Sequence, residues 1–153
     1  MSQGHPLNDA DRWDWLILLR ETALSTLRQS PAQISTSTST SPPSKLPKGV
    51  IITCSALKRK YRDVLRIATY HDPSIRVHFI FLSVSEAALM DRVRARKGHY
   101  MKDYMVHSQV ESLETPREDE RDVLSVDAGG TSVEVQGLAA EVVTRVLKQE
   151  EGV

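Results

Sequence analysis

Three stretches of this 153-residue chain concentrate side chains that could hold an anion and act on it. The first is Ser55-Ala56-Leu57-Lys58-Arg59-Lys60-Tyr61-Arg62, placed where an apolar run gives way to a helical pattern. Lys58 and Arg62 stand four positions apart, a spacing that puts both on one helix face. The first turn of a helix presents unpaired N–H groups and the positive end of its dipole. Two cations beside it suit a carboxylate or a phosphate. A solvated basic face, or a nucleic-acid patch, is the competing reading. In the second stretch Arg92, Arg94, Arg96 and Lys97 precede Gly98 and His99. Arginines next to a glycine hinge suit a lid that closes over transferring phosphates. A solvated helix end, where cations meet the negative end of the dipole, competes with it. The third is Asp127-Ala128-Gly129-Gly130-Thr131, a loop that follows an apolar run.

Other chemistry-bearing residues carry less. His99 and His107 lie eight apart with no third ligand in view, which is weak as a metal site. Cys54, the single cysteine, reads as a small buried hydrophobe and allows no internal disulfide. The acidic run Glu111 to Asp122 includes Arg117 and Arg121 and reads as a solvated loop.

The elements that must position these groups alternate between strand and helix. Residues 9–29 read as a helix capped by Asn8 or Asp9, with Trp13, Leu16, Ile17, Leu24 and Leu27 near one face. Trp13 is expected in the core, and Trp15 at a helix–helix contact. Val50–Cys54 reads as a buried strand, residues 56–68 as a helix, and Arg76–Leu82 as a second strand. Ser83 and Glu86 match a capping box that opens a helix to about Arg96. Residues 102–114 read as helical, and Val123–Asp127 as a third strand. Thr131 with Glu134 matches another capping box, followed by Val135, Leu138, Val142 and Val146 on one helical face. Continuous apolar strands alternating with helices predict an α/β fold with a parallel sheet. Sites in such sheets lie beyond the carboxyl ends of the strands, which directs attention to residues 54–62, 83–104 and 127–131. Residues 30–48, a Ser/Thr/Pro tract, are expected to form a disordered surface insertion in a single domain spanning 1–153.

Composition narrows the function. Twenty basic residues balance twenty acidic ones, which argues against a dedicated nucleic-acid binder. No apolar run approaches membrane-spanning length, and no secretory signal opens the chain. One cysteine and no signal point to a reducing compartment, with the cytosol expected. No Gly-x4-Gly-Lys-Ser/Thr occurs, and no G-x-G-x-x-G, G-x-S-x-G or H-E-x-x-H.

Four ordered motifs resemble the gluconokinase family, small P-loop kinases that phosphorylate D-gluconate. Residues 4–16, Gly-His-Pro-Leu-Asn-Asp-Ala-Asp-Arg-Trp-Asp-Trp-Leu, resemble G-x-P-L-x-D-x-D-R-x-x-W-L. Residues 54–66 are similar to C-S-A-L-K-x-x-Y-R-D-x-L-R. Residues 94–101, Arg-Ala-Arg-Lys-Gly-His-Tyr-Met, are similar to the lid motif A-R-K-G-H-F. Gln109 to Glu114 with Pro116, and then Asp122–Asp127, resemble Q-x-x-x-L-E-x-P and the family's last strand. The likeness spans nearly the whole chain outside residues 30–48.

The resemblance implies a nucleoside-monophosphate-kinase-like parallel sheet. It also implies ATP- and magnesium-dependent phosphorylation of D-gluconate to 6-phosphogluconate, which feeds the pentose phosphate pathway. Asp11, Arg12, Ser55, Lys58 and Arg62 would line the gluconate side. Arg92 and Arg96 would stabilise the phosphoryl group from the lid, together with Lys97, Gly98 and His99. Asp127 and Ala128 would lie near the adenine. Gluconate and ATP are the implied partners; a nucleic acid or a membrane is not expected, and a homodimer is left open.

The sequence departs from the family at its start. It begins downstream of the family's first strand, P-loop, helix and second strand, as a truncated gene model, an alternative start or a fragment would. The lysine and backbone amides that hold the phosphates, and the hydroxyl that binds magnesium, belong to that missing unit. The expectations are little kinase activity from this chain alone, and marginal stability or a repacking of strand 50–54 against 76–82. A non-catalytic relative that binds gluconate or a partner chain, and a kinase of another small sugar acid, are the alternatives.

Overall fold

The computed structural model describes residues 9–28, 49–95 and 103–151. They fall into two compact units.

One unit comprises residues 7–56 and 60–75. Its first helix, α1 (Asp9–Arg28), begins with Asp9 and Asp11 and ends with Arg28. Negative charge at the amino end and positive charge at the carboxyl end both complement the helix dipole. Leu16 and Leu24, two turns apart on one face, are its buried side chains. Arg20 falls between them on the same stripe, and its Nη1 donates to the carbonyl of Val64 at 3.0 Å. In α2 (Arg59–His71) Tyr61, Val64, Leu65 and Ala68 are buried, the i, i+3, i+4, i+7 stripe of an amphipathic helix. The helix ends where the Asp72 N–H donates to Ala68 and the Asp72 carboxylate accepts from the N–H and hydroxyl of Ser74. Those bonds from Ser74 hold the Asp72 carboxyl below the usual carboxylate range.

The other unit comprises residues 57–59 and 76–153. Two parallel strands form its sheet: β1 (Phe79–Ser83) and β2 (Val123–Asp127), in register from Phe79 opposite Val123 to Ser83 opposite Asp127. Between them the chain runs through α3 (Glu86–Ala95) and α4 (Asp103–Glu111), and α5 (Ser132–Glu151) follows β2. A helical crossover between parallel strands is the α/β arrangement the sequence predicts. Met105 and Val106 of α4, Val126 and Ala128 at the end of β2, and Val146 of α5 form the buried apolar set. Arg76 and His78, just before β1, reach Glu150 near the end of α5 at 3.6 and 3.3 Å.

Several expectations need correction. Val50–Cys54 is not a strand: no strand pairs with it among the described residues, and Ile51 is 89% exposed. An apolar β-branched run becomes a strand only when a ladder partner takes its N–H and C=O groups. The expected repacking of 50–54 against 76–82 does not occur either, because β1 pairs with β2. The second strand begins at Phe79, whose N–H donates to Asp122 at 2.8 Å where the ladder with β2 opens. Trp13 is 40% exposed, not core, and Leu138 is 43% exposed. The Ser83/Glu86 box is displaced: the Ser85 hydroxyl accepts from the Ala88 N–H at 3.3 Å. Glu120 in the acidic run is buried, its carboxylate accepting from the Arg117 N–H at 3.3 Å, so that loop is only partly solvated. The tract at 30–48 lies outside the described residues.

Candidate functional site

The start of α1 and the start of α2 are joined through Asp9. Its carboxylate accepts hydrogen bonds from the Lys60 ammonium and from the Tyr61 hydroxyl. Tyr61 is 2% exposed, and burial raises its hydroxyl pKa, with the Asp9 carboxylate adding to that effect. The Arg12 guanidinium stands 5.8 Å from the centre of the Tyr61 ring, within cation–π range. Asp11, one residue before Arg12, is exposed. So this unit sets Arg12 and Asp11 on one helical turn, with Arg12 braced by an aromatic ring. A guanidinium can bind a carboxylate in two-pronged fashion, and a carboxylate accepts from hydroxyls. Those are the two functional groups of a polyhydroxy acid. Neither Asp9 nor Tyr61 was expected to make this contact. Both stand at fixed positions of the family-like motifs, but nothing in the spacing pairs one with the other.

The turn between residue 54 and α2 carries the next group. Burial raises the Cys54 thiol above its ordinary value against a lowering backbone bond from Ala56, which suits an inert, half-buried thiol and not a nucleophile. Ser55 is exposed. Arg62 is only 4% exposed, and its Nη1 lies 3.4 Å from the carbonyl of Ala56, so it fastens this turn to the helix. Lys58 precedes the first helical residue, Arg59, so it does not share a helical face with Arg62 as its spacing suggested.

An acid from far along the chain occupies the amino end of α2. Glu114 Oε2 accepts from the Arg59 N–H at 2.8 Å, and the Glu114 N–H donates to the carbonyl of Leu57 at 2.9 Å. Asp119 adds an ion pair with the Arg59 guanidinium at 2.7 Å, which holds the Asp119 carboxyl below its ordinary range. The helix therefore starts three residues later than the sequence suggests. Its first N–H already serves a carboxylate from within the chain.

Beyond the carboxyl ends of β1 and β2 lies the loop 127–131. The Ala128 N–H extends the ladder to the Ser83 carbonyl at 2.7 Å, and the Gly129 N–H donates to Asp127 Oδ1 at 2.8 Å. Thr131 and Glu134 form the expected capping box. Glu134 Oε2 accepts from the Thr131 N–H at 2.7 Å, and the Thr131 hydroxyl accepts from the Glu134 N–H at 3.4 Å. A side chain at Gly130 would place its Cβ 2.8 Å from Glu134 Oε2, so that carboxylate would have to shift to admit one. Arg92 of α3 reaches this loop: its Nη2 donates to the carbonyls of Ala128 at 2.6 Å and Gly130 at 2.7 Å. Asp127 thus ends β2 with Ala128 after it, as the expected third strand requires, and Arg92, expected at the transferring phosphates, is bonded to this loop. Arg96, Lys97, Gly98 and His99 lie outside the described residues.

Comparison with known proteins gives a consistent result. No model of a protein family matches the chain. A probable gluconokinase of Schizosaccharomyces pombe is 44% identical over 126 residues, which cover 82% of this chain and 57% of that protein. The thermoresistant gluconokinase of Escherichia coli is 37% identical over 127 residues, covering 83% of this chain and 60% of that protein. The chain therefore spans well under two thirds of these curated relatives. The crystal structure of a gluconokinase from Sinorhizobium meliloti 1021 superposes with a TM-score of 0.67 at 33% identity, covering 97% of this chain and 73% of that one.

Proposed function

The chain belongs to the gluconokinase family, and from that premise we propose that it forms part of a kinase that transfers a phosphoryl group from ATP to a hydroxyl of D-gluconate. The observation that carries this reading is the likeness to gluconokinases over about four-fifths of the chain. The local chemistry supports it. Arg12, set against the Tyr61 ring, suits the carboxylate of a sugar acid, and Asp11 beside it suits the hydroxyls. Ser55, Lys58 and Arg62 complete the proposed acceptor side, with Arg62 doubling as the fastener of its own turn. Asp127 ends β2 and Ala128 follows it, at the carboxyl strand end where α/β sheets bind nucleotides, and both are assigned to the adenine side. Arg96, Lys97, Gly98 and His99 are assigned to a lid over the phosphates.

Magnesium enters this proposal only as the ion that accompanies ATP. Among the described residues no cluster of three or more His, Cys, Asp or Glu is placed to hold a metal. No helix among the described residues is long and apolar enough to cross a membrane. A cytoplasmic location and a homodimer belong to the same proposal.

The test is calorimetric titration of the 153-residue chain with D-gluconate and with D-glucose, which lacks the carboxylate. Gluconate is expected to bind and glucose not, and Arg12→Met is expected to weaken gluconate by about tenfold. Equal binding of both sugars, or no binding of gluconate, overturns the reading. Tighter binding of another sugar acid reassigns the substrate. The 153 residues hold no Gly-x4-Gly-Lys-Ser/Thr, so gluconate-dependent ADP formation by them alone is expected to be undetectable.

A further inference from the structure

We propose that Arg92 is a positioning residue that sets the shape of the adenine-facing loop 127–131 and couples it to α3, instead of meeting the transferring phosphoryl group. The assignment of that loop to adenine rests on the function proposed above; the brace itself rests on geometry.

Both protons of one guanidinium nitrogen are committed. Nη2 of Arg92 is 2.6 Å from the carbonyl oxygen of Ala128 and 2.7 Å from that of Gly130. A terminal guanidinium nitrogen carries two hydrogens, so these two short, charge-assisted bonds use them both. Three N–H groups of the loop are satisfied close by. The Ala128 N–H goes to Ser83, the Gly129 N–H to Asp127 and the Thr131 N–H to Glu134. Arg92 thus supplies the anchor from α3 to a loop otherwise held by the strand ends and by the cap of α5. Two carbonyls turned toward one cation fix the direction of the intervening peptides, and a loop fixed before the ligand arrives loses less entropy on binding.

The experiment compares the wild-type chain with Arg92→Met by amide hydrogen exchange and by calorimetry with adenosine, ADP and gluconate. Exchange at Ala128, Gly129 and Thr131 is expected to quicken by about tenfold, with Val123–Val126 unchanged. Adenosine and ADP are expected to weaken by the same factor while gluconate affinity holds. Unchanged exchange overturns the brace. A loss for ADP without a loss for adenosine overturns it in favour of a phosphate contact. Faster exchange throughout the chain with weaker binding of all three ligands reduces Arg92 to general stability and also overturns the proposal. Faster exchange confined to the loop, in a chain that binds neither adenosine nor ADP, keeps the brace and removes the adenine assignment instead. Arg92→Lys, which keeps the charge and shortens the reach, carries the same measurements should the methionine variant fail to fold.

Discussion

The Nδ1 of His107 on α4 lies 2.8 Å from a carboxylate oxygen of Glu86 in the first turn of α3. Its Nε2 lies 3.4 Å from Glu111, one turn further along α4. The imidazole therefore bridges the two helices that flank residues 96–102. Its pKa is raised, first by the hydrogen bond to Glu86 and then by the charges of Glu111 and Glu86. A raised value means that the protonated ring is the form the folded state favours. The stabilisation is fully present below the unfolded value of about 6.5 and is lost as pH rises through the higher folded value. Thermal unfolding of wild type and His107→Gln across pH 5.5 to 8.5, at about 0.15 M salt, checks this. The gap between them is expected to be widest at the acid end and to close at the alkaline end. A constant gap would show that His107 contributes packing alone.

Tyr61 carries more through its ring than through its hydroxyl. The side chain is among the most fully buried of the described residues, and its hydroxyl donates to a half-exposed Asp9 that water can also reach. Tyr61→Phe removes one hydrogen bond and is expected to cost about 1 kcal/mol. Tyr61→Ala also empties the site and is expected to cost about 3–5 kcal/mol. Denaturant unfolding of both variants measures the difference. If Tyr61→Phe proved as damaging as Tyr61→Ala, the bond to Asp9 would outweigh the packing.

These contacts mark the boundary of what was legible in the sequence. The capping box at Thr131 and Glu134 was legible because both partners lie within one helical turn. The strand Val123–Asp127 was legible because its apolar run also finds a ladder partner. Val50–Cys54 has the same composition and fails as a strand, since pairing is a tertiary property that composition does not carry. Trp13 looked like core because helical spacing names a face without saying how much of that face is covered. Around the candidate site, the place of Asp127 and Ala128 at the end of β2 was legible from the apolar run, whereas the bonds of Arg92 to the loop carbonyls were not, since its charge pointed to phosphates. The pairings of Asp9 with Lys60 and of Glu114 with Arg59 were not legible either, because the partners lie 51 and 55 positions apart.

Glu114 offers the sharpest check on that last point, because it does for α2 what an adjacent cap residue usually does. Its carboxylate accepts from the Arg59 N–H while its own N–H donates to Leu57, so one residue secures both sides of the helix start. Loss of a side-chain acceptor at a helix amino end is worth about 1 kcal/mol, and Glu114→Ala is expected to destabilise by that amount. The same substitution uncovers an N–H at the positive end of the helix dipole, with the Arg59 guanidinium close by. An external anion can take the vacated place. Sulfate is therefore expected to raise the melting temperature of Glu114→Ala more than that of wild type, with sodium chloride at matched ionic strength as the control. Equal responses would mean that Glu114 acts through the loop it belongs to and not through the helix amino end. A larger response in the variant would show that the amino end of α2 can hold an anion once its internal carboxylate is gone.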